Sequence, residues 1–507
     1  MATGRARLLH QHWLGVQALR LPPGGVGAAP GSGGFRKGPG VQSAAARAPP
    51  KPSALCEGRC GRAPPRCPVL LDSLPAEVLL KILSYLDAAA LLCVGCVNRR
   101  CYHLANDNFI WVRIYSAAFS PKSCTWRADP VERTAASVSS LSVEDKEAGY
   151  WKKEYITKRI GSVKATVAQV LKVINPYTGL PAKTKEALRI SGLGWVIILK
   201  EESGKEHVLE HVDLFINDSS VTIVWYGKNW PCLAALSTLD LCGVTPVFMD
   251  RSKPTTKNGP RWHSLVAKYS LKDLADATLI GCDRFVRVFH LDPGLLVGLW
   301  KRAEELAFVV ASLHFHQLVE RSTLGSAAAP YELPPHTPLL DDSPEYGLHG
   351  YQLHIDIHSS GTFSLCSTFR NLFTKKGCIE NGYAKLIVIH FQNSAEHLPL
   401  VGKVGLSWRT DVFDGCIKSC AVMDLTLLDE YRKPFWCFSS PVCMRPSPSP
   451  SGGPHFAGET YCIEHKDAAG TVHVQLVWLE ETEEYFIVSL VLYLSTARIN
   501  RWFGTEY

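Results

Sequence analysis

Two periodicities divide the chain. From Leu71 to Tyr115 the apolar residues keep helical spacing: Leu74, Val78, Leu79, Ile82, Leu83 and Leu86 fall on one face of a helix. Pro75 suits a first helical position, and Glu77 suits the positive end of the helix dipole. Asp87 is placed to cap a second short helix through Leu91 and Leu92, and Asn98 a third through Tyr102 and Leu104, with Trp111 on a further turn. Next, Val143 to Lys158 predicts a helix with Glu144 and Asp145 early and Lys152 and Lys153 late. Another is expected from Ser162 to Ile174, its stripe of Val163, Val167, Val170, Leu171 and Ile174 ending at Asn175-Pro176. A third, from Thr184 to Ile190, should stop near Gly192.

After Gly194 the period drops to that of strands. Trp195–Leu199, Val221–Tyr226, Phe285–Leu291, Tyr351–His358, Lys385–Phe391, Val472–Trp478 and Tyr485–Leu494 are rich in β-branched and aromatic residues and separated by turn formers. This predicts a large, mainly antiparallel β-sandwich or barrel, with one helix from Leu299 to about Ala311 packed on it. In one strand Leu353, Ile355 and Ile357 face one way and His354, Asp356 and His358 the other, which reads as an apolar face opposite a solvent-facing polar stripe. Arg445 to Pro454 reads as a flexible loop, and no repeat period is visible. The expected class is α+β and multidomain: a Gly/Ala/Pro/Arg-rich disordered tail over 1–68, a short helical unit over 69–116, a helical linker over 117–193 and a β-rich domain over 194–507.

Charge and cysteine usage narrow the function classes. The net charge of +7 could suggest a nucleic-acid partner, but no acidic residue precedes Glu57. The seven cations of that stretch, Arg5, Arg7, Arg20, Arg36, Lys37, Arg47 and Lys51, account for the whole excess. A nucleic-acid binder should carry its basic surface on the folded part, so this class is set aside. The basic start, with Leu8, Leu9, Trp13 and Leu14, also resembles a mitochondrial presequence, as many disordered tails do. No apolar run reaches the ~18–20 residues of a membrane span. The 17 cysteines are odd in number and scattered, which suits reduced thiols in the cytoplasm or nucleus, many of them buried. Cys56, Cys60 and Cys67 lack the paired spacing of a zinc ribbon. Cys93, Cys96 and Cys101 read as packing residues on the helices.

His354, Asp356 and His358, with His314 and His316 elsewhere, are the set that could present metal ligands; the polar stripe already explains the first three. Neither a metal nor another cofactor is expected. A second function class is a β domain that binds glycans, for which Trp225, Trp230 and Trp262 would have to be exposed at one loop end.

The helical unit carries more apolar side chains than three short helices can hide, which implies a partner surface or packing on a neighbouring domain. Its sequence, LDSLPAEVLLKILSYLDAAALLCVGCVNRRCYHLANDNFIWVRIY, closely resembles the F-box family. The family's opening Leu-Pro falls on Leu74 and Pro75, its acidic position on Glu77, and its first-helix apolar positions on Val78, Leu79, Ile82 and Leu83 before Tyr85-Leu86-Asp87. The Leu of its second helix falls on Leu91 or Leu92, its Val-Cys/Asn-Arg-x-Trp/Tyr stretch on Val97 to Tyr102, and its closing positions on Leu104, Ala105 and Trp111. Cys96 stands where the family often has a polar residue, and Tyr102 where it commonly has Trp.

The resemblance implies a non-catalytic subunit that docks on a Skp-type adaptor, and through it on a cullin scaffold, to present a protein substrate for ubiquitin transfer. It implies adaptor contacts from Leu74, Pro75, Val78, Leu79, Ile82, Leu83, Leu86, Leu91, Leu92, Val97, Leu104 and Trp111. The β domain would be the receptor and the intervening helices a spacer. The substrate is not identified.

Overall fold

The computed structural model describes residues 73–119, 146–245, 261–447 and 458–507, apart from a few single positions. The expected disordered tail, the presequence-like start and Cys56, Cys60 and Cys67 lie outside the described residues.

Four short helices open the fold: α1 (Ala76–Leu83), α2 (Ala88–Val94), α3 (Arg99–Ala105) and α4 (Asn108–Phe119). Pro75 is the residue before α1, not its first turn, with extended backbone, and Glu77 lies in that turn. The caps form as the sequence predicts: Asp87 Oδ1 accepts from the Ala90 amide at 2.8 Å, and Asn98 Oδ1 from the Cys101 amide at 2.7 Å. Then comes one helix, α5 (Tyr150–Leu171), where two were expected. It runs unbroken through Gly161, because a single glycine costs a helix only about 1 kcal/mol and no proline interrupts it. Residues 143–145 of the expected helix are not described. The helix ends three residues before Ile174, which is exposed. There the chain turns back, with the Asn175 amide donating to Leu180 O and the Ala182 amide to Val173 O. Helix α6 (Thr184–Ser191) ends on Gly192, whose φ of 63° is the left-handed cap that glycine tolerates.

The rest is antiparallel sheet. Its first half comprises β1 (Gly194–Glu201), β2 (Glu206–Glu210), β3 (Asp213–Ile216), β4 (Ser220–Tyr226), β5 (Leu236–Thr245), β6 (Trp262–Ser270), β7 (Thr278–Cys282), β8 (Val286–Leu291), β9 (Leu295–Trp300), β10 (Leu306–His314) and the short helix α7 (Leu318–Thr323). A four-stranded sheet, β2-β1-β5-β6, covers a six-stranded one, β3-β4-β10-β9-β8-β7. Trp195, Ile197, Leu239, Ile223, Trp225, Val297 and Val309 fill the space between them.

The second half comprises β11 (Tyr351–Ser359), β12 (Thr362–Leu372), β13 (Ile379–Glu380), β14 (Tyr383–Ile389), β15 (Leu398–Leu400), β16 (Gly405–Arg409), β17 (Asp414–Lys418), β18 (Cys420–Leu428), β19 (Pro434–Pro446), β20 (Thr460–Lys466), β21 (Gly470–Leu479), β22 (Glu484–Ser495) and the helix α8 (Thr496–Phe503). A long sheet, β12-β11-β18-β19-β20-β21-β22-β14-β13, folds over its own core of Leu353, Ile355, Leu425, Val474, Leu490 and Leu492. The fold-back occurs in β19, which pairs with β18 through Cys443 and with β20 from Met444 onward. Both halves are sandwiches, not closed barrels.

The two sandwiches stack back to back. Phe308 and Val310 of β10 meet Trp408 of β16 and Val422 of β18 in a third apolar cluster. This explains why residues 299–311 are not the expected helix. They are the end of β9, a turn and most of β10, and β10 is buried along its whole length. A strand covered on both faces reads as an unbroken apolar run, which the sequence pattern does not distinguish from a buried helix. The same stacking buries the polar stripe expected to face solvent: His354, Asp356 and His358 are 6%, 0% and 0% exposed. Arg445 and Pro446, assigned to a loop from sequence, pair with Cys462 and Tyr461 as the end of β19; positions 448–457 are not described.

Candidate functional site

The twelve apolar residues expected to contact an adaptor divide into three sets by burial. Leu79, Leu83, Leu91, Leu92 and Trp111 are buried, at most 8% exposed, and all but Leu79 form the helical unit's own core with Ile110 and Val112. Trp111 Nε1 donates to Ala105 O at 2.6 Å, which satisfies the one polar atom its burial would strand. Leu74, Leu86 and Leu104 are half-buried. Arg100 Nη2 donates to Leu74 O at 2.5 Å and ties α3 to the start of α1.

The outer set is Pro75, Val78, Ile82 and Val97, all exposed, Val78 at 44%, Ile82 at 46% and Val97 at 71%. The structure adds Tyr85, Tyr102 and Phe109, each more than half exposed. Amphipathic spacing selects α1's apolar residues but does not say which of them the other helices cover. Cys93 and Cys96 are also at the surface, contrary to the expected packing role, because α2 buries Leu91 and Leu92 instead.

Helix α5 joins this unit to the β structure. Its first turns lie in the helical core, with Trp151 buried and the Tyr155 ring 5.5 Å from that of Trp111. Asn108 stitches the junction: its amide donates to Lys146 O and Glu147 O, and its Oδ1 accepts from the Trp151 amide. The far end belongs to the first sandwich, where Val167 is buried and Val163, Val170 and Leu171 pack against the same core as Ala187 and Leu188 of α6. One helix of 22 residues, roughly 33 Å long, therefore has its two ends in two different cores.

Between the sandwiches lies a buried polar seam. His358 Nε2 is 2.9 Å from Asp424 Oδ2, and Ser439 Oγ donates to Asp424 Oδ1 at 2.5 Å. Across the seam Ser219 Oγ donates to Asp356 Oδ2 at 2.6 Å, and His314 Nε2 pairs with Thr426 Oγ1 at 3.0 Å. Burial pushes the His358 imidazole down, but Asp424 outweighs it and raises the group above its ordinary value. At His314 the order is reversed: burial outweighs the pull of Asp424 and holds the imidazole down at about 4.

Of the residues considered for a metal, His354 and Asp356 do come together, joined by Cys366 directly across the strand pair β11–β12. One donor atom from each lies within 4.8 Å of the others, and among the described residues no fourth His, Cys, Asp or Glu joins them. A nitrogen, an oxygen and a sulfur suit a zinc-like ion by donor type. The same atoms also serve the fold, since His354 Nδ1 meets Thr368 Oγ1 at 2.7 Å and Asp356 holds Ser219. His358 is drawn to Asp424 instead, and His314 to Thr426, so the larger histidine set does not assemble. The glycan platform fails: Trp225 and Trp262 are buried and only part of Trp230 is accessible.

Residues 71–117 match the family model described as F-box-like. Over its full length the chain is 67% identical to F-box only protein 15 of Homo sapiens, all of both chains being covered. It is 56% identical to F-box only protein 15 of Mus musculus over 85% of this chain and all of the relative. A shorter similarity, 35% identity over 18% of this chain and 13% of the relative, links it to the probable E3 ubiquitin ligase complex SCF subunit sconB of Arthroderma otae. A full-length relative at this identity leaves one assignment: the chain belongs to the F-box only protein 15 family of F-box proteins.

Proposed function

We propose that this chain is the substrate-recognition subunit of a Skp–cullin–F-box ubiquitin ligase and does no chemistry itself. The observation that carries the reading is the outer apolar set on the F-box helices, Pro75, Val78, Ile82, Tyr85, Val97, Tyr102 and Phe109. Full burial of an exposed valine, isoleucine or aromatic side chain is worth about 1.5–3 kcal/mol, and covering the part that each of these still exposes recovers a fraction of that, summed over several side chains on one small unit. The adaptor reaches a cullin scaffold, and the receptor's contribution is proximity: it holds a substrate lysine near the activated ubiquitin. The core residues Leu83, Leu91, Leu92 and Trp111 support the helices that present this face.

Co-purification with adaptor and cullin from cells tests the assignment. Ile82→Asp with Val78→Asp should abolish it while lowering the melting temperature less than loss of a core residue does, since both side chains are about half exposed. Leu83→Ala should instead lower stability by about 2–4 kcal/mol. Adaptor capture unchanged in the double Asp variant would refute the reading. A cytoplasmic or nuclear site of action follows from the ligase role and is tested by fractionating cells that express the full chain.

A further inference from the structure

A large cleft of the β structure lies where five remote segments meet: α7, the strand-free stretch 333–337, the start of β19, the turn at 467–469 and α8. Its volume is about 1040 Å³, at the upper limit for small-molecule pockets and roomy enough for an extended chain. Its walls carry Arg321, Lys433, Arg498 and Arg501 against a single carboxylate, Asp467. That carboxylate is committed. Asp467 Oδ2 accepts from Trp436 Nε1 at 2.8 Å, and Oδ1 from the amides of Ala469 and Gly470. Among the described residues Arg321, Lys433 and Arg501 make no ion pair. Arg321 is moreover half-buried, and burial pushes its guanidinium down. A half-buried cation without a counter-charge costs free energy that an incoming anion recovers.

We infer that this cleft is the substrate-docking groove and that its occupant is an extended acidic peptide segment rich in Asp and Glu. The inference rests on the receptor role and names the substrate class that role requires. Two further observations fix the class. First, the cations are not gathered on one point. Arg498 is spent on the fold, donating to Phe435 O at 2.8 Å and lying over the Phe435 and Trp502 rings. The free cations, Arg321, Lys433 and Arg501, stand on three different segments, which suits several separate carboxylates better than one doubly charged phosphoryl group. Second, the rings of the groove are largely engaged within the fold and leave little face for stacking on nucleic-acid bases. Phe435 and Trp436 are at most 3% exposed, and His336 stacks on Trp502 at 3.6 Å and 4°.

The test uses the full chain co-purified with its adaptor and a short fluorescein-labelled peptide of alternating Glu and Tyr. Controls are the Gln-Tyr peptide, a Gln-Tyr peptide with one phosphoserine, and an oligouridylate of similar length. The Glu peptide should bind, weaken steeply with salt, and lose at least about tenfold in affinity in the Arg321→Gln, Lys433→Gln, Arg501→Gln variant. Arg501→Glu alone, at an exposed position, should lose affinity as well and guards against misfolding of the triple variant. Equal binding of the Gln peptide, or no effect of these substitutions, overturns the proposal. So does binding only of the phosphoserine peptide or a preference for the oligouridylate. Adaptor binding is read in the same samples: its loss in the wild-type chain would sink the receptor role, whereas a failed peptide arm with adaptor bound sinks the groove alone.

Discussion

Gly161 offers a direct test of whether the link between adaptor and receptor must be stiff. It lies within α5, between Trp151 and Tyr155 in one core and Val163 and Val167 in the other. A β-carbon at Gly161 would meet nothing within 4 Å, so substitutions there act on the helix and not on packing. Gly161→Ala should stabilise the helix by about 0.5–1 kcal/mol. Gly161→Pro removes a backbone hydrogen bond and clashes with the preceding turn, a cost of about 3 kcal/mol or more in a helix interior. Neither core loses a side chain, so adaptor affinity and substrate affinity should both hold.

What should fall is ubiquitin transfer. Positioning is worth about 7–11 kcal/mol in well-oriented reactions, and a kink forfeits part of that. By contrast Val167→Asp would not isolate the spacer, because Val167 is 7% exposed within the first sandwich's own core. The assay is single-turnover ubiquitylation in a reconstituted ligase, run beside both binding measurements for the Ala and Pro variants. Transfer by the Pro variant at the wild-type rate, with small-angle scattering showing a bent particle, would refute the idea that the helix sets a working distance.

Ending the chain at Pro446 should leave the β structure insoluble while the F-box still captures adaptor: β14 and β15 pair with β22, which the truncation removes along with β20, β21 and α8. A soluble truncated chain seen by gel filtration would contradict this. Stability should fall as pH drops from about 6.5 towards 4. His314 and His316 are both held at about 4 by burial, so the unfolded chain binds protons first, and each contributes up to about 3 kcal/mol that is lost across that window. Denaturant melts at stepped pH read the slope, and His314→Gln should flatten it. His358 has the opposite sign: its raised value makes its pairing with Asp424 favour folding at low pH, a benefit lost as pH rises through the folded value. Asp424→Asn should therefore destabilise the protein more at pH 6 than at pH 9, measured by the same melts.

Much of the helical unit was legible without coordinates because its determinants are local. Asp87 and Asn98 cap the residues three positions on, and the α1 stripe repeats within a single helix. The stronger strands were equally readable, since β-branched runs between turn formers need no partner to be recognised. The F-box resemblance added the adaptor, which no spacing alone names. Tertiary structure decided the rest, wherever the answer depended on what lies across from a residue. It separated the buried Leu79 and Leu83 from Val78 and Ile82 on the same stripe. It turned 299–311 into strands and buried His354, Asp356 and His358, because a second sandwich lies on a face that in a lone sheet would be wet. It also gathered Arg321, Lys433 and Arg501 into one groove from segments far apart in the chain. A one-dimensional pattern records which face of an element a residue occupies; only the packed layers determine whether that face meets water, another sheet or a charge.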